Sequence, residues 1–211
     1  MAHVLPDLLE RLEHEEGLWR SSEPGNVEKS EESAVDAAVR AFGPYDLPRM
    51  FELLDHDEFN LSYAAAGAFR EAGLDAIAYF EGAWASASPT RRQKMLGVLR
   101  DLLRRKDAAA VLPAVRQLAA RGLDDPNPRV RLQATKTLQG DSLHRDLCLD
   151  VLAALLEAPD IHTVRSAAYR ISALEPPAAR VEAVLRTHAE HPDAETRGYV
   201  RTALERIEDA R

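Results

Sequence analysis

Residues able to do chemistry gather in four short stretches of this 211-residue chain. His188 and His191 stand at i, i+3 on a helical segment beside Glu190 and Asp193, types and spacing that suit a surface metal ion. The plainer reading is a helix C-terminus, where the macrodipole favours a cationic imidazole. "LLDHDEF", residues 53–59, groups Asp55, His56, Asp57 and Glu58, a carboxylate–imidazole set able to move protons. The same residues suit the cap of a helix that follows a turn. Cys148, the only cysteine, cannot form an internal disulfide. Leu147, Val151, Leu152 and Leu155 make a broad apolar stripe around it, which reads as core rather than as a nucleophile's setting. "RRQKMLGVLRDLLRRK", 91–106, is a basic amphipathic run of the kind that binds phosphates, membranes or an acidic partner. Its Met95, Leu96, Leu99, Leu102 and Leu103 are equally explained by packing on neighbouring helices, with the basic face left to solvent. No glycine-rich phosphate loop, G-x-S-x-G elbow or C-x-x-C pair occurs. No catalytic residue, cofactor site or metal site is assigned.

Composition decides what kind of elements must position such residues. Apolar residues make up 45% and charged residues 29%, which places the chain among soluble globular proteins. Alanine and leucine dominate while aromatics are only 6%, and both lose little side-chain entropy in a helix, so the chain is predicted to be nearly all helical. The N-terminus lacks a basic region followed by an apolar core, and no apolar run is long enough to cross a bilayer. With a single cysteine, these features predict a bacterial-type cytoplasmic protein and no membrane partner. The net charge of −8 is unevenly spread. Residues 1–88 carry 6 basic against 18 acidic side chains, whereas 91–136 carries 12 basic against 4 acidic. Such asymmetry fits a charged partner or faces that complement each other, and the acidic neighbour weakens any long-range pull on nucleic acid.

Helix-sized apolar stretches alternate with breaks marked by glycine and proline, which suit helix ends and first turns but not helix interiors. The pattern predicts helices over 31–42, 46–54, 58–72, 74–86, 89–105, 108–122, 127–139, 142–157, 161–174, 177–190 and 194–208, with no strands. Residues 17–33, rich in Ser, Glu, Gly and Pro, read as a polar loop.

One stretch repeats. "DDPNPRVRLQATKTL" aligns with "EAPDIHTVRSAAYRIS" and "EHPDAETRGYVRTAL" when Arg131, Arg165 and Arg197 share a column. Three residues on stand Ala134, Ala168 and Val200, slim side chains that let one helix approach the next. Asp125, Asp160 and Asp193 precede the arginines and suit the N-cap of each second helix. Each arginine is placed to reach an acidic residue of an adjacent unit, forming a ladder. Looser copies at 55–69 and 88–99 put Ser62 and Lys94 in the arginine column.

The run Asp125, Val130, Arg131, Ala134 and Leu138 resembles the turn and second helix of HEAT repeats. Asp160, Val164, Arg165 and Ala168 continue it, as do Asp193, Arg197, Val200 and Leu204, with Thr196 replacing the valine. The resemblance is good over 107–208, weak over 46–105 and absent before 42. It implies an all-α right-handed solenoid of about five helix pairs. The units would be near 46–73, 74–106, 107–140, 141–174 and 175–211, with capping helices over 1–45. HEAT-like second helices line a concave face, which here would present Tyr63, Arg70, Lys136, Tyr169, Arg170, Tyr199 and Arg201 to a partner, unless the tyrosines fill gaps between repeats. The implied function is a non-enzymatic protein-binding scaffold or adaptor with no cofactor, its acidic N-terminal part steering a basic partner. Alternatives are an inhibitor or immunity-type protein against a basic toxin or nuclease, a HEAT-like alkylpurine DNA glycosylase, and a bilin lyase.

Overall fold

The computed structural model describes residues 46–57, 59–106, 108–175 and 178–211. The capping helices expected before residue 46 and the polar loop at 17–33 lie outside these. Every regular element among the described residues is helical. The chain divides into two compact units, Met1–Arg105 and Lys106–Arg211.

In the described part of unit 1, α1 (Leu47–Leu53), α2 (Phe59–Ala72), α3 (Leu74–Ala83) and α4 (Pro89–Leu102) follow each other closely, and α2 touches the other three. Proline in the first turn starts α1 and α4, where its missing N–H has no partner to lose. Ser88 caps α4 by accepting from the Arg91 N–H at 3.1 Å. Between α2 and α3 the chain reverses at Gly73, whose φ of +58° any side chain would strain. Aromatic rings cluster within a core that also buries Met50, Leu54, Ile77, Met95, Leu96, Leu99 and Leu102. Phe69 and Phe80 are fully buried with ring centroids 4.6 Å apart, and Tyr79 meets Phe51 edge-on at 5.5 Å.

Unit 2 is a regular stack. Its helices are α5 (Ala108–Leu123), α6 (Pro128–Thr137), α7 (Arg145–Ala154), α8 (Ile161–Ser172), α9 (Glu182–Thr187) and α10 (Ala194–Asp209). They form three successive pairs, α5/α6, α7/α8 and α9/α10, with the second helices α6, α8 and α10 in contact along the series. That nearest-neighbour order defines a repeat architecture: one pair cannot cover its own apolar face, so the next pair does. The core is almost wholly aliphatic, built on Leu132, Leu149, Leu152, Leu155, Ile171, Leu185 and Ile207. The slim column behaves as expected, since Ala134, Ala168 and Val200 are completely buried.

From residue 46 on, the predicted helices appear in order, and in unit 2 α6, α7, α8 and α9 are shorter than expected while α5 and α10 match to one residue. α6 ends at Thr137 rather than 139 and α7 begins at Arg145 rather than 142, which leaves a loop between them. Gly140, at φ +87°, turns that loop, and Asp141 accepts from the Leu143 N–H and faces His144 Nδ1 at 2.7 Å. Two roles given to the repeat residues need correction. Asp125 does not cap α6: its carboxylate accepts from the Asn127 N–H at 2.9 Å, and Asn127 is the cap, accepting from the N–H groups of Arg129 and Val130. Arg131 does not extend the ladder seen elsewhere; it donates to the Asp125 and Pro126 carbonyls of its own turn at 2.9 and 3.1 Å. Arg197 does the same at the same offsets, to His191 and Pro192. A guanidinium so placed satisfies carbonyls that a tight turn leaves without helical partners.

The ladder exists, with different rungs. Arg129 rather than Arg131 reaches Asp160 at 3.1 Å, and Arg165 grips Asp193 through two hydrogen bonds of 2.6 and 3.0 Å. Asp193 also caps α10 through the Thr196 N–H. Asp160 begins α8 and holds the Thr163 hydroxyl at 2.7 Å.

Candidate functional site

The residues expected to face a partner fall on the second helices of both units. In unit 2, Tyr169 of α8 is 53% exposed and its ring meets that of Tyr199 on α10 edge-on, with centroids 5.3 Å apart. Consecutive second helices thus carry touching tyrosines, an arrangement that depends on the close approach set by Ala168 and Val200. Arg170, beside Tyr169, donates to the Gln139 side chain at the end of α6 at 3.1 Å. Lys136 lies half-buried on α6. Arg201 pairs with Glu190 at 2.8 Å, on the turn before α10 rather than on the tyrosines. In unit 1, Tyr63 is 48% exposed under the Arg70 guanidinium at 5.3 Å, a cation–π pair, and Arg70 also approaches Asp101 at 3.6 Å.

The structure adds a feature that was not expected. Where α6 and α7 fall short, a groove of about 620 Å³ opens beside the end of α8. Leu138, Leu149, Leu152, Leu174 and the Tyr169 ring give it apolar walls, and Asp141, Arg145, Arg170 and Glu175 supply its charges. Both acids have cationic partners outside the lining. Asp141 binds Arg116 at 2.8 Å and faces His144, while Glu175 binds Arg206. Among their contacts, Arg145 donates to the Glu175 carbonyl at 3.1 Å and Arg170 to the Gln139 side chain. Burial pushes the Asp141 carboxyl up, but hydrogen bonds from His144, the Leu143 N–H and Arg116 outweigh it and hold the group below its ordinary value.

The other chemistry-bearing stretches are drawn into the scaffold. Cys148 lies against the groove with its thiol pushed up to about 11, first by burial and then by the Asp141 charge, the reverse of what a nucleophile needs. His188 is buried, its Nδ1 at 2.9 Å from the Val184 carbonyl and its Nε2 at 3.0 Å from Glu157. His191 stacks on it at 6.2 Å and accepts from the Asp193 N–H through Nδ1. These contacts occupy three ring nitrogens that a metal would need. Asp55 binds Ser88 at 2.8 Å and Arg91 at 2.7 Å; burial raises its carboxyl, but these bonds prevail and lower it, which suits an anchor and not a proton donor. Its neighbour Glu58 lies outside the described residues. Many guanidiniums of the basic 91–136 run are likewise engaged within the chain: Arg91 by Asp55, Arg92 by the Ala87 carbonyl, Arg105 by the Arg70 carbonyl and Arg116 by Asp141.

Among solved structures the chain is similar to an engineered protein from the Northeast Structural Genomics Consortium, at 18% identity over 85% of each chain with a TM-score of 0.53. A second engineered protein from that consortium shares 20% identity over 85% of this chain and 87% of its own, with a TM-score of 0.48. A designed armadillo repeat protein shares 16% over 96% and 99%, with a TM-score of 0.45. No family model and no curated protein matches the chain. The first likeness is one of fold alone. Among the described residues the chain is all-α, and the pair-on-pair order within unit 2 is that of a helical repeat array. Among the described residues no helix is long and apolar enough to cross a membrane.

The groove left only a faint trace in sequence. "QGDSLHRD", 139–146, has a glycine and two aspartates at a repeat boundary, a sign of a longer loop, but how far the flanking helices would retreat depends on their packing.

Proposed function

We propose that the chain is a non-enzymatic, HEAT-like protein-binding scaffold that holds its partner along the second helices. The observation that carries this reading is the Tyr169–Tyr199 pair on adjacent second helices, Tyr169 exposed and Tyr199 half-buried against the core, with Arg170 alongside. Tyrosine and arginine offer large contact area and directional hydrogen bonds, which makes them frequent anchors of protein interfaces. Two rigid rings held edge to face lose little entropy when a partner covers them. The engagement of Arg91, Arg92, Arg105 and Arg116 within the chain favours this over nucleic-acid binding, because phosphate contacts draw on basic side chains that face outward.

The test is site-specific photocrosslinking in the source cell. A photoreactive phenylalanine analogue at Tyr199 is expected to yield one dominant protein adduct, and the same probe at Gln117, exposed on α5, is not. Tyr169→Asp should abolish the Tyr199 adduct. Equal adducts from both positions, or none from Tyr199, would rule the reading out.

A further inference from the structure

We infer that the groove beside the ends of α6 and α8 receives one apolar side chain from an uncharged segment of a partner protein, with a backbone carbonyl of that segment on the Gln139 amide. The inference rests on the scaffold reading and narrows it to a recognition element. Size sets the first limit: about 620 Å³ lies within the range of about 300–1,000 Å³ in which pockets enclose a compact ligand. Leu138, Leu149, Leu152, Leu174 and the Tyr169 ring form the walls, so removing a leucine-sized or aromatic side chain from water would drive binding.

Charge sets the second limit. The lining holds two acids and two guanidiniums, which cancel, and all four are engaged within the chain. Asp141 is held by Arg116 and His144, and Glu175 by Arg206. Arg145 and Arg170 have contacts of their own, the Glu175 carbonyl and the Gln139 side chain among them. A charged side chain of either sign would lose its hydration here and have to compete with those contacts. An apolar one has no such cost.

Hydrogen bonding then places the segment's backbone. Arg170 has only donors to offer, so its contact at 3.1 Å turns the Gln139 oxygen towards it and fixes the carboxamide. That leaves the two N–H donors of an exposed, groove-lining side chain, which have no acceptor among the described residues. A backbone carbonyl is a neutral acceptor that accompanies every side chain of a peptide. Continuity agrees with this placement. Tyr169 is both a wall of the groove and half of the tyrosine pair, so a segment seated in the groove runs directly onto the second-helix strip. Leu143 and Leu147, 75% and 43% exposed, flank the lining residues Ser142, Arg145 and Cys148 along the chain and extend the apolar margin.

The experiment is selection of a phage-displayed random heptapeptide library on the full chain. Enriched peptides are expected to share one aliphatic or aromatic residue flanked by uncharged ones. Synthetic copies should bind at least about tenfold more weakly to Ala173→Trp, which fills the groove. They should bind about three- to tenfold more weakly to Gln139→Glu, which keeps an acceptor for Arg170 and removes the N–H donors. Both variants are first checked for wild-type helicity and melting temperature, with Ser142→Trp and Gln139→Leu as their replacements. No enrichment, a charged residue enriched beside the apolar one, or binding indifferent to either variant would overturn the inference. A Tyr199 photocrosslink that survives Ala173→Trp would refute the groove and leave the scaffold reading standing.

Discussion

The two units are held together by different physics. Unit 1 has aromatic rings at its centre: Phe69 on Phe80 at 4.6 Å, with Phe51 and Tyr79 closing the cluster. Unit 2 has an aliphatic core, and across its repeats runs a series of arginine–aspartate contacts, Arg129 to Asp160 and Arg165 to Asp193. Among the described residues of unit 1, Arg91 reaches the other way, from the later helix back to Asp55 in the earlier turn, while Arg70 reaches forward to Asp101. Large rings lock a packing arrangement through shape. A slim-residue column with aliphatic neighbours leaves helices freer to slide, and directional charge pairs at the turns restore the register. Repeat regularity thus tracks with charge at the turns, and irregularity with aromatic volume in the core.

The largest test of that contrast is a pair of core substitutions. Phe69→Ala should destabilise unit 1 by about 3–5 kcal/mol, since a fully buried ring leaves a cavity its neighbours only partly fill. Ala168→Leu should destabilise unit 2 by about 1–3 kcal/mol through overpacking. Hydrogen exchange resolved by segment separates the two losses. If Ala168→Leu proves neutral, the slim column is not what brings the second helices together.

Acid gives the next contrast. In unit 2, Asp141, Asp150, Asp160, Glu182 and Asp193 are held below their ordinary range, Asp160 at about 2 by the Thr163 hydroxyl and then Arg129. In the described part of unit 1, Asp55 is such a group. A carboxyl lowered in the folded state stabilises fully above its unfolded value, here 3.8, and that contribution is lost as pH falls through the folded one. Between about pH 4 and pH 2, exchange should therefore rise in 108–211 before it rises in 59–102. The opposite order would show that the charge pairs do not hold the regular unit together.

The smallest effect is the most pointed. Arg131→Ala should cost about 1 kcal/mol by leaving two turn carbonyls without their donor, and should leave the Tyr199 photocrosslink as before. A variant of unchanged stability that no longer binds would reassign Arg131 from the turn to the interface.

Much of unit 2 was legible in advance because its signals are local. Helix-period leucines, proline at helix starts and slim residues at a fixed offset from each arginine act within one or two turns, and Ala134, Ala168 and Val200 are buried as that offset required. Residues separated by a whole repeat were harder to place. Asp125, Asp160 and Asp193 look alike in sequence, yet Asp125 braces its own turn, Asp160 takes Arg129, and Asp193 both caps α10 and takes Arg165. The extra "PNP" after Asp125 moves the cap to Asn127, and a shift of two residues is enough to hand the ladder from one arginine to another.

Sequence by itself determined the helical content, the breaks, the repeat period and which small side chains would be buried. Each of these follows from backbone propensity and from the 3.6-residue period, which act along the chain. Tertiary structure alone decided which arginine reaches which aspartate, that Tyr169 and Tyr199 touch, and that a groove opens where α6 and α7 stop short. Those outcomes depend on distances between segments about thirty residues apart, and packing sets such distances.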